Sequence, residues 1–273
     1  MTLDFSRVRF IMTEPSHPGN VGSAARAIKT MGFTDLVLVS PKIDQITAHP
    51  EAIALASGAN DVLEQAQVVS TLQEALAPVT LAFGMTARER DLGPPVCDIR
   101  QAAGIATAHL ADHAFGLVGL VVGTERSGLT NAQVSLCHRL CCIPANPAYS
   151  SLNVSQAMQL AAWEMRYALL QPPMTPGVNP ATEINQARNA NEQNLADRPP
   201  GRRPASSEAL QALIVHWEEA LIAVQFLDPA HPKKLMPRMR HMFGRSDMTR
   251  DEVEMWRGVC SAMLATARHA NPS

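Results

Sequence analysis

An α/β fold built on a mostly parallel sheet, followed by a small helical C-terminal domain, is the class this sequence predicts. Three observations predict it. Between residues 7 and 170, short aliphatic runs alternate with alanine-rich stretches, the pattern of strands joined by crossover helices. The chain holds 40 alanines against 12 aromatic residues, a mixture suited to helices packed closely on aliphatic strands. A proline- and asparagine-rich segment then separates this region from a tail with helical patterning.

The strand-like runs are Val8–Met12, Leu36–Val39, Val79–Phe83, Leu117–Val122 and Leu140–Ile143. They are short β-branched or aliphatic runs, as in a buried parallel sheet. The helical stretches between them are Val21–Met31, Glu51–Ala56, Thr71–Ala77, Ile99–Ala111 and Leu152–Leu170. Residues 171–206 hold seven of the 20 prolines and five asparagines with few large apolar side chains. This composition reads as a linker, with a frayed helix near Ala181–Leu195. The domains are therefore 1–170, the linker 171–206, and a helical region 207–273. That region divides into Glu208–Phe226, Pro232–Phe243 and Thr249–Arg268, with Ser207 and Thr249 as N-caps and Asp228-Pro229 and Gly244 as breaks.

At 273 residues a globular chain buries about 70–75% of its unfolded surface, so neither disulfides nor metal are needed for stability. Asp4, Arg7 and Arg9 interrupt the N-terminal apolar pieces, which argues against a signal peptide. The longest aliphatic stretch, Leu117 to Gly123, is far below the ~20 residues that span a bilayer, so no membrane is expected. Five cysteines without framework spacing suit a reducing cytoplasm. Cys137-His138-x-x-Cys141-Cys142 superficially resembles a metal cluster, but no other cysteine pair completes it. Buried thiols on a strand are the better reading, and no metal is expected.

Three loops carry the chemistry. Glu14 to Arg26, containing Pro18-Gly19-Asn20-Val21-Gly22, follows the first strand, and its small residues let a backbone approach a ligand. It lacks a dinucleotide fingerprint, and there is no Gly-Lys-Ser/Thr phosphate loop. Gly84-Met85-Thr86-Ala87-Arg88-Glu89-Arg90 follows the third strand. Gly123-Thr124-Glu125-Arg126-Ser127-Gly128-Leu129 follows the fourth, and Ile143-Pro144-Ala145-Asn146-Pro147 to Ser150-Ser151-Leu152-Asn153 follows the fifth. In an open α/β sheet, ligands bind beyond the carboxyl ends of the strands, where all of these segments fall. Asn20, Ser150, Ser151 and Asn153 also have an ordinary reading as helix caps, and Arg26 as a surface residue.

Pro18-Gly19-Asn20-Val21-Gly22-Ser23-Ala24-Ala25-Arg26, Gly123 to Leu129, and Ile143 to Asn153 together resemble the three motifs of the SPOUT (TrmH-type) RNA 2′-O-ribose methyltransferases, in order and spacing. Ala27-Ile28-Lys29-Thr30-Met31-Gly32-Phe33 and the tail from Phe226 to Arg238 are similar to its TrmJ branch, the tRNA (cytidine/uridine-2′-O-)-methyltransferases acting on the anticodon loop at position 32. The resemblance implies a SPOUT fold with a deep C-terminal trefoil knot, S-adenosyl-L-methionine as cofactor, tRNA as substrate, and a homodimer whose active site combines both subunits. By position, cofactor contacts fall on Met85, Thr86, Ala87, Gly123, Ile143, Ser150, Ser151 and Leu152. Catalytic or substrate-positioning roles fall on Arg26, Asn20, Glu125, Ser151 and Asn153. The loop from Gly84 to Arg90 departs from the family pattern at Met85 and Glu89.

A guanidinium is effectively never deprotonated, so Arg26 is expected to grip a phosphate and orient the ribose hydroxyl rather than act as a base. The proton then leaves late, to water or a phosphate oxygen. Glu125 is expected to pin loop groups. A 2′-hydroxyl target excludes DNA. The formal charge of −2 divides into −3 on residues 1–170, +1 on the linker and 0 on the tail. Within the tail, Lys233, Lys234, Arg238, Arg240 and Arg245 share a window, 232–246, without a carboxylate, and are expected to contact RNA phosphates. The competing readings are a non-catalytic knotted RNA-binding protein, a methyltransferase for another RNA site, and a nucleotide-dependent enzyme of small metabolites. The five polar residues at the sheet edge weigh against the first, and the missing phosphate loops against the last.

Overall fold

Val8–Thr13 (β1) is buried at every position, with Val8, Phe10 and Met12 on one face of a sheet and Ile11 on the other. In a computed structural model describing residues 5–87, 94–170 and 203–270, β1 lies between Asp35–Val39 (β2) and Val118–Val122 (β6). Ile11 pairs with Val37 on one side and Val121 on the other. Gln67–Val69 (β3) flanks β2. Leu81–Met85 (β4), Arg139–Cys142 (β7) and Val96–Asp98 (β5) continue beyond β6. The order is β3-β2-β1-β6-β4-β7-β5, and every pairing is parallel, so all carboxyl ends share one edge.

Arg9 is the one charged residue within β1. Its Nε donates to Asp35 at 2.8 Å and its Nη1 to the Ala75 carbonyl at 3.0 Å, which offsets its burial. One face of the sheet packs against Pro18–Thr30 (α1), Pro50–Ala56 (α2), Asn60–Gln65 (α3), Ile99–Asp112 (α5) and Val154–Leu170 (α7). Leu72–Leu76 (α4) and Asn131–Val134 (α6) cover the other. Gly22 lets α1 and α2 touch: a Cβ there would meet the Ala52 carbonyl oxygen at 2.0 Å.

Three expectations shift. The third predicted strand begins at Leu81 rather than Val79 and extends to Met85, so Gly84 and Met85 belong to β4 and not to the loop. The first helix starts at Pro18, which puts Asn20 inside its first turn. β3, β5, α3 and α6 add elements that apolar patterning did not mark. The residues of the suspected cluster are engaged elsewhere. Burial pushes the Cys137 thiol up to about 12 and raises that of Cys141, while His138 Nδ1 accepts from the Ala82 amide at 3.0 Å. Among the described residues, no three His, Cys, Asp or Glu side chains are placed to hold a metal, and no helix is long and apolar enough to cross a membrane.

The tail forms Ser207–Ala223 (α8), Leu235–Gly244 (α9) and Arg250–Ala270 (α10) around Leu213, Ile214, Phe243, Val253 and Cys260. Trp217, Phe243 and Trp256 meet edge to face with centroids 5.2–6.2 Å apart. Thr249 forms the expected cap with Glu252. The cap of α8 is Ser206 rather than Ser207. Ser207 instead donates from both its amide and its hydroxyl to the Val79 carbonyl, at 2.8 and 2.9 Å. The C-terminal domain is thus anchored at the amino end of β4, opposite the loop edge. Residues 171–202 of the linker, with the expected frayed helix, and Arg88, Glu89 and Arg90 lie outside the described residues.

Candidate active site

The four neighbouring strands β1, β6, β4 and β7 end together, so the loops after them meet although they are distant in sequence. Between three of these loops and the start of α7 lies a cavity of about 150 Å³. Its walls are Met85, Thr86, Ala87, Val122 to Leu129, Cys141, Ile143, Ser150, Ser151, Leu152, Val154 and Ala157. All eight residues carried over as cofactor contacts line it. The turn after β6 is tight: the Gly128 amide donates to the Thr124 carbonyl at 3.0 Å. A Cβ on Gly123 would meet the Gly128 carbonyl carbon at 2.0 Å. With no side chain possible there, the loop's main chain comes close to the cavity floor. Apolar walls from Met85, Leu129, Ile143 and Leu152, interleaved with hydroxyls and main-chain groups, suit a ligand with a flat ring and polar edges.

Glu125 borders this cavity and a second hollow of about 550 Å³, lined also by His17, Asn20, Glu51, Asn153 and Gln156. Its carboxylate accepts from the Ser16 amide (3.2 Å), Ser16 Oγ (2.9 Å), the His17 amide (3.2 Å) and Asn20 Nδ2 (3.3 Å). These donors belong to the N-terminal end of α1, where the helix dipole also favours a negative charge. Partial burial raises the Glu125 carboxyl, but hydrogen bonds from its own backbone, Asn20 and Ser16 outweigh it, so the group is held below the usual range.

An ionised carboxylate can only accept, which orients everything beyond it. Asn20 turns its amide nitrogen to Glu125 and its oxygen to Asn153 Nδ2, 2.9 Å away. Asn153 then uses its own oxygen for the Ser155 amide (2.9 Å) and hydroxyl (2.6 Å), opening α7. Asn153 is therefore both cap and bridge. Asn20, by contrast, caps nothing.

Ser151 is exposed on the cavity rim. Arg26 lies six residues beyond Asn20 on α1, exposed, and lines neither hollow. Among the described residues no hydrogen bond or ion pair holds its guanidinium. In the tail, Lys233, Lys234, Arg238 and Arg245 are exposed, but Arg240 is half-buried and donates to Gln211 Oε1 at 2.7 Å. Ser16 and His17 escaped the sequence reading although they stand in the first loop. Their signal is a partner 108 or 109 positions away.

Residues 7–163 match the model of the SpoU rRNA methylase family, and residues 208–272 that of the tRNA methyltransferase TrmJ C-terminal domain. The tRNA (cytidine/uridine/adenosine-2′-O-)-methyltransferase TrmJ of Pseudomonas aeruginosa is 37% identical over 96% of this chain and 95% of its own. The crystal structure of TrmJ from Z. mobilis ZM4 aligns with a TM-score of 0.73 and 30% identity, covering 93% of this chain and 98% of that one. A probable methyltransferase from Bordetella pertussis is 74% identical over 62% of this chain and all of its own, with a TM-score of 0.60.

Proposed function

Because this chain belongs to the SpoU rRNA methylase family and ends in a TrmJ-type C-terminal domain, we propose that it is an S-adenosyl-L-methionine-dependent tRNA 2′-O-methyltransferase. The observation that carries this reading is the hydrogen-bonded chain Glu125–Asn20–Asn153, which ties three separate motifs together beside one cavity. A relative named as a cytidine/uridine-2′-O-methyltransferase, and one whose name adds adenosine, support cytidine and uridine as targets; the anticodon loop, at position 32, is what the motif resemblance adds to this reading.

The cavity suits the cofactor. Met85, Thr86, Ala87, Gly123, Ile143, Ser150, Ser151 and Leu152 would hold it, chiefly through main-chain groups and apolar walls. When bound, it supplies an electrophilic methyl group on a sulfonium. The protein's part is then to hold a ribose hydroxyl in line, since the reaction creates little new charge. Asn20, Asn153 and Ser151 frame the entry for the ribose, and Glu125 keeps Asn20 in one orientation. Arg26, planar and without a partner among the described residues, would grip the adjacent phosphate through two parallel N–H bonds.

An apolar stripe supports a homodimer. Leu160, Trp163, Tyr167 and Leu170 are exposed on one side of α7, with Trp163 and Tyr167 stacked at 6.2 Å. A second subunit on that face would stand close to the cavity, and the trefoil knot that the resemblance implies belongs to the same reading. The exposed Lys233, Lys234, Arg238 and Arg245 add attraction for tRNA that the acidic domain lacks. A tRNA substrate and five free cysteines support a cytoplasmic location.

The test is incubation of the full chain with methyl-labelled S-adenosylmethionine and unmodified tRNA, followed by nuclease digestion. The expected product is 2′-O-methylcytidine or 2′-O-methyluridine at the anticodon-loop position. Label in a base, or tRNA binding without transfer, overturns the reading.

A further inference from the structure

We propose that His17 is the group that takes the proton from the ribose 2′-hydroxyl, with Ser16 and Glu125 holding its imidazole in the tautomer this requires. The proposal rests on the methyltransferase reading above and supplies its missing proton acceptor.

Ser16 Oγ has a single hydrogen and donates it to Glu125 Oε2 at 2.9 Å. The same oxygen lies 2.9 Å from His17 Nδ1, so there it can only accept. Nδ1 must carry the imidazole hydrogen, and Glu125 Oε1 at 3.5 Å reinforces this choice. A neutral ring protonated at Nδ1 leaves the lone pair of Nε2 unused. No hydrogen bond of Nε2 exists among the described residues. The ring is 66% exposed and lines the hollow that Glu125 shares with the cofactor cavity, beside Asn20 and Asn153. A base oriented by a carboxylate through a hydroxyl, with its free nitrogen open to the substrate side, is the arrangement general-base catalysis needs.

The step balances. The ribose O–H bond breaks with its proton passing to Nε2. The oxygen pair forms the new O–CH3 bond, and the pair of the bond the methyl leaves stays on sulfur. The positive charge lost at sulfur reappears on the imidazolium, where Glu125 stabilises it. The other titratable group sharing the hollow is Glu51 of α2; the start of α7 contributes only Asn153, Ser155 and Gln156.

His17 contributes no side-chain cap to α1 and is largely exposed, so His17→Gln is expected to fold. Single-turnover methylation of tRNA by the full chain, measured across pH 5 to 9, is expected to rise and level off as one group loses a proton. His17→Gln is expected to abolish that limb and slow the step by about 100-fold or more, with tRNA and cofactor affinities unchanged. Nitrogen-15 NMR of the imidazole reports independently: the Nδ1–H tautomer in the native chain, mixed with Nε2–H in Ser16→Ala. A His17→Gln enzyme that keeps its rate, or an Nε2–H tautomer in the native chain, overturns the base while leaving the methyltransferase reading intact. A native chain that labels no ribose overturns both.

Discussion

Asn153 Nδ2 lies 2.9 Å from Asn20 Oδ1, joining the opening of α7 to the first turn of α1 across 133 positions of sequence. Asn20 reaches Glu125 with its other end, so the three side chains form one directional chain from a carboxylate to a helix cap.

Asn20→Asp tests that directionality. The new carboxylate could not donate to Glu125, and two negative groups would face each other where Nδ2 now stands 3.3 Å from Oε1. Methyl transfer is expected to fall by about two orders of magnitude, the scale for a lost positioning group, while the circular dichroism spectrum is unchanged. Retention of full activity would show that the chain is ornamental.

Gly123→Ala tests the cavity. An added Cβ would sit 2.0 Å from the Gly128 carbonyl carbon, a separation that forces the turn after β6 to move. Overpacking of this kind costs about 1–3 kcal/mol. Calorimetric titration with S-adenosylmethionine is expected to show at least a tenfold weaker affinity than the native chain. An unaltered affinity would mean the cofactor does not touch this turn.

The five central strands were legible because most of their positions are buried on both faces, which leaves short, mainly apolar runs. β3 and β5 were not. Each is three residues long, and exposed positions such as Val68 and Val96 at the sheet margins dilute their pattern. The slip at β4 has a different cause: Val79 is as buried as the strand residues Leu81, Ala82 and Phe83, but its amide closes a turn to Leu76 instead of joining a ladder. In the site, the motif residues could be found individually. The Ser16–His17–Glu125 relay could not, since nothing local to Ser16 or His17 announces a carboxylate supplied by a loop beyond β6.

His109 and His138 make acid stability predictable. Burial, with His113, His138 and Arg7 nearby, brings His109 down to about 3; burial, with Arg139, brings His138 down to about 4. Both therefore stay neutral in the folded chain at a pH where the unfolded chain, with its histidines near 6.5, is protonated. The stabilisation is fully present above about pH 6.5 and is lost progressively as pH falls toward the folded values. The urea midpoint of the native chain is expected to drop between pH 7 and pH 5, and to drop less in His109→Gln. An equal drop in both would remove His109 from the account.

The tail's basic residues divide by their neighbours, and this gives its contribution to tRNA binding a sharp test. Arg240 is engaged by Gln211, so Arg240→Ala should act chiefly on the packing of α9 against α8. Lys233, Lys234 and Arg238 are exposed, and their replacement by alanine should act on phosphates alone. At roughly 0.7 released counterions per contact to a single strand, the triple variant should lose about 2 from the slope of log affinity against log salt. Its thermal midpoint should stay that of the native chain. The exposed side chains, these three with Arg245 and without Arg240, then carry the electrostatic part of binding. A chain ending at Leu170 that bound tRNA with the native affinity and slope would move that contribution to the catalytic domain, despite its net charge of −3.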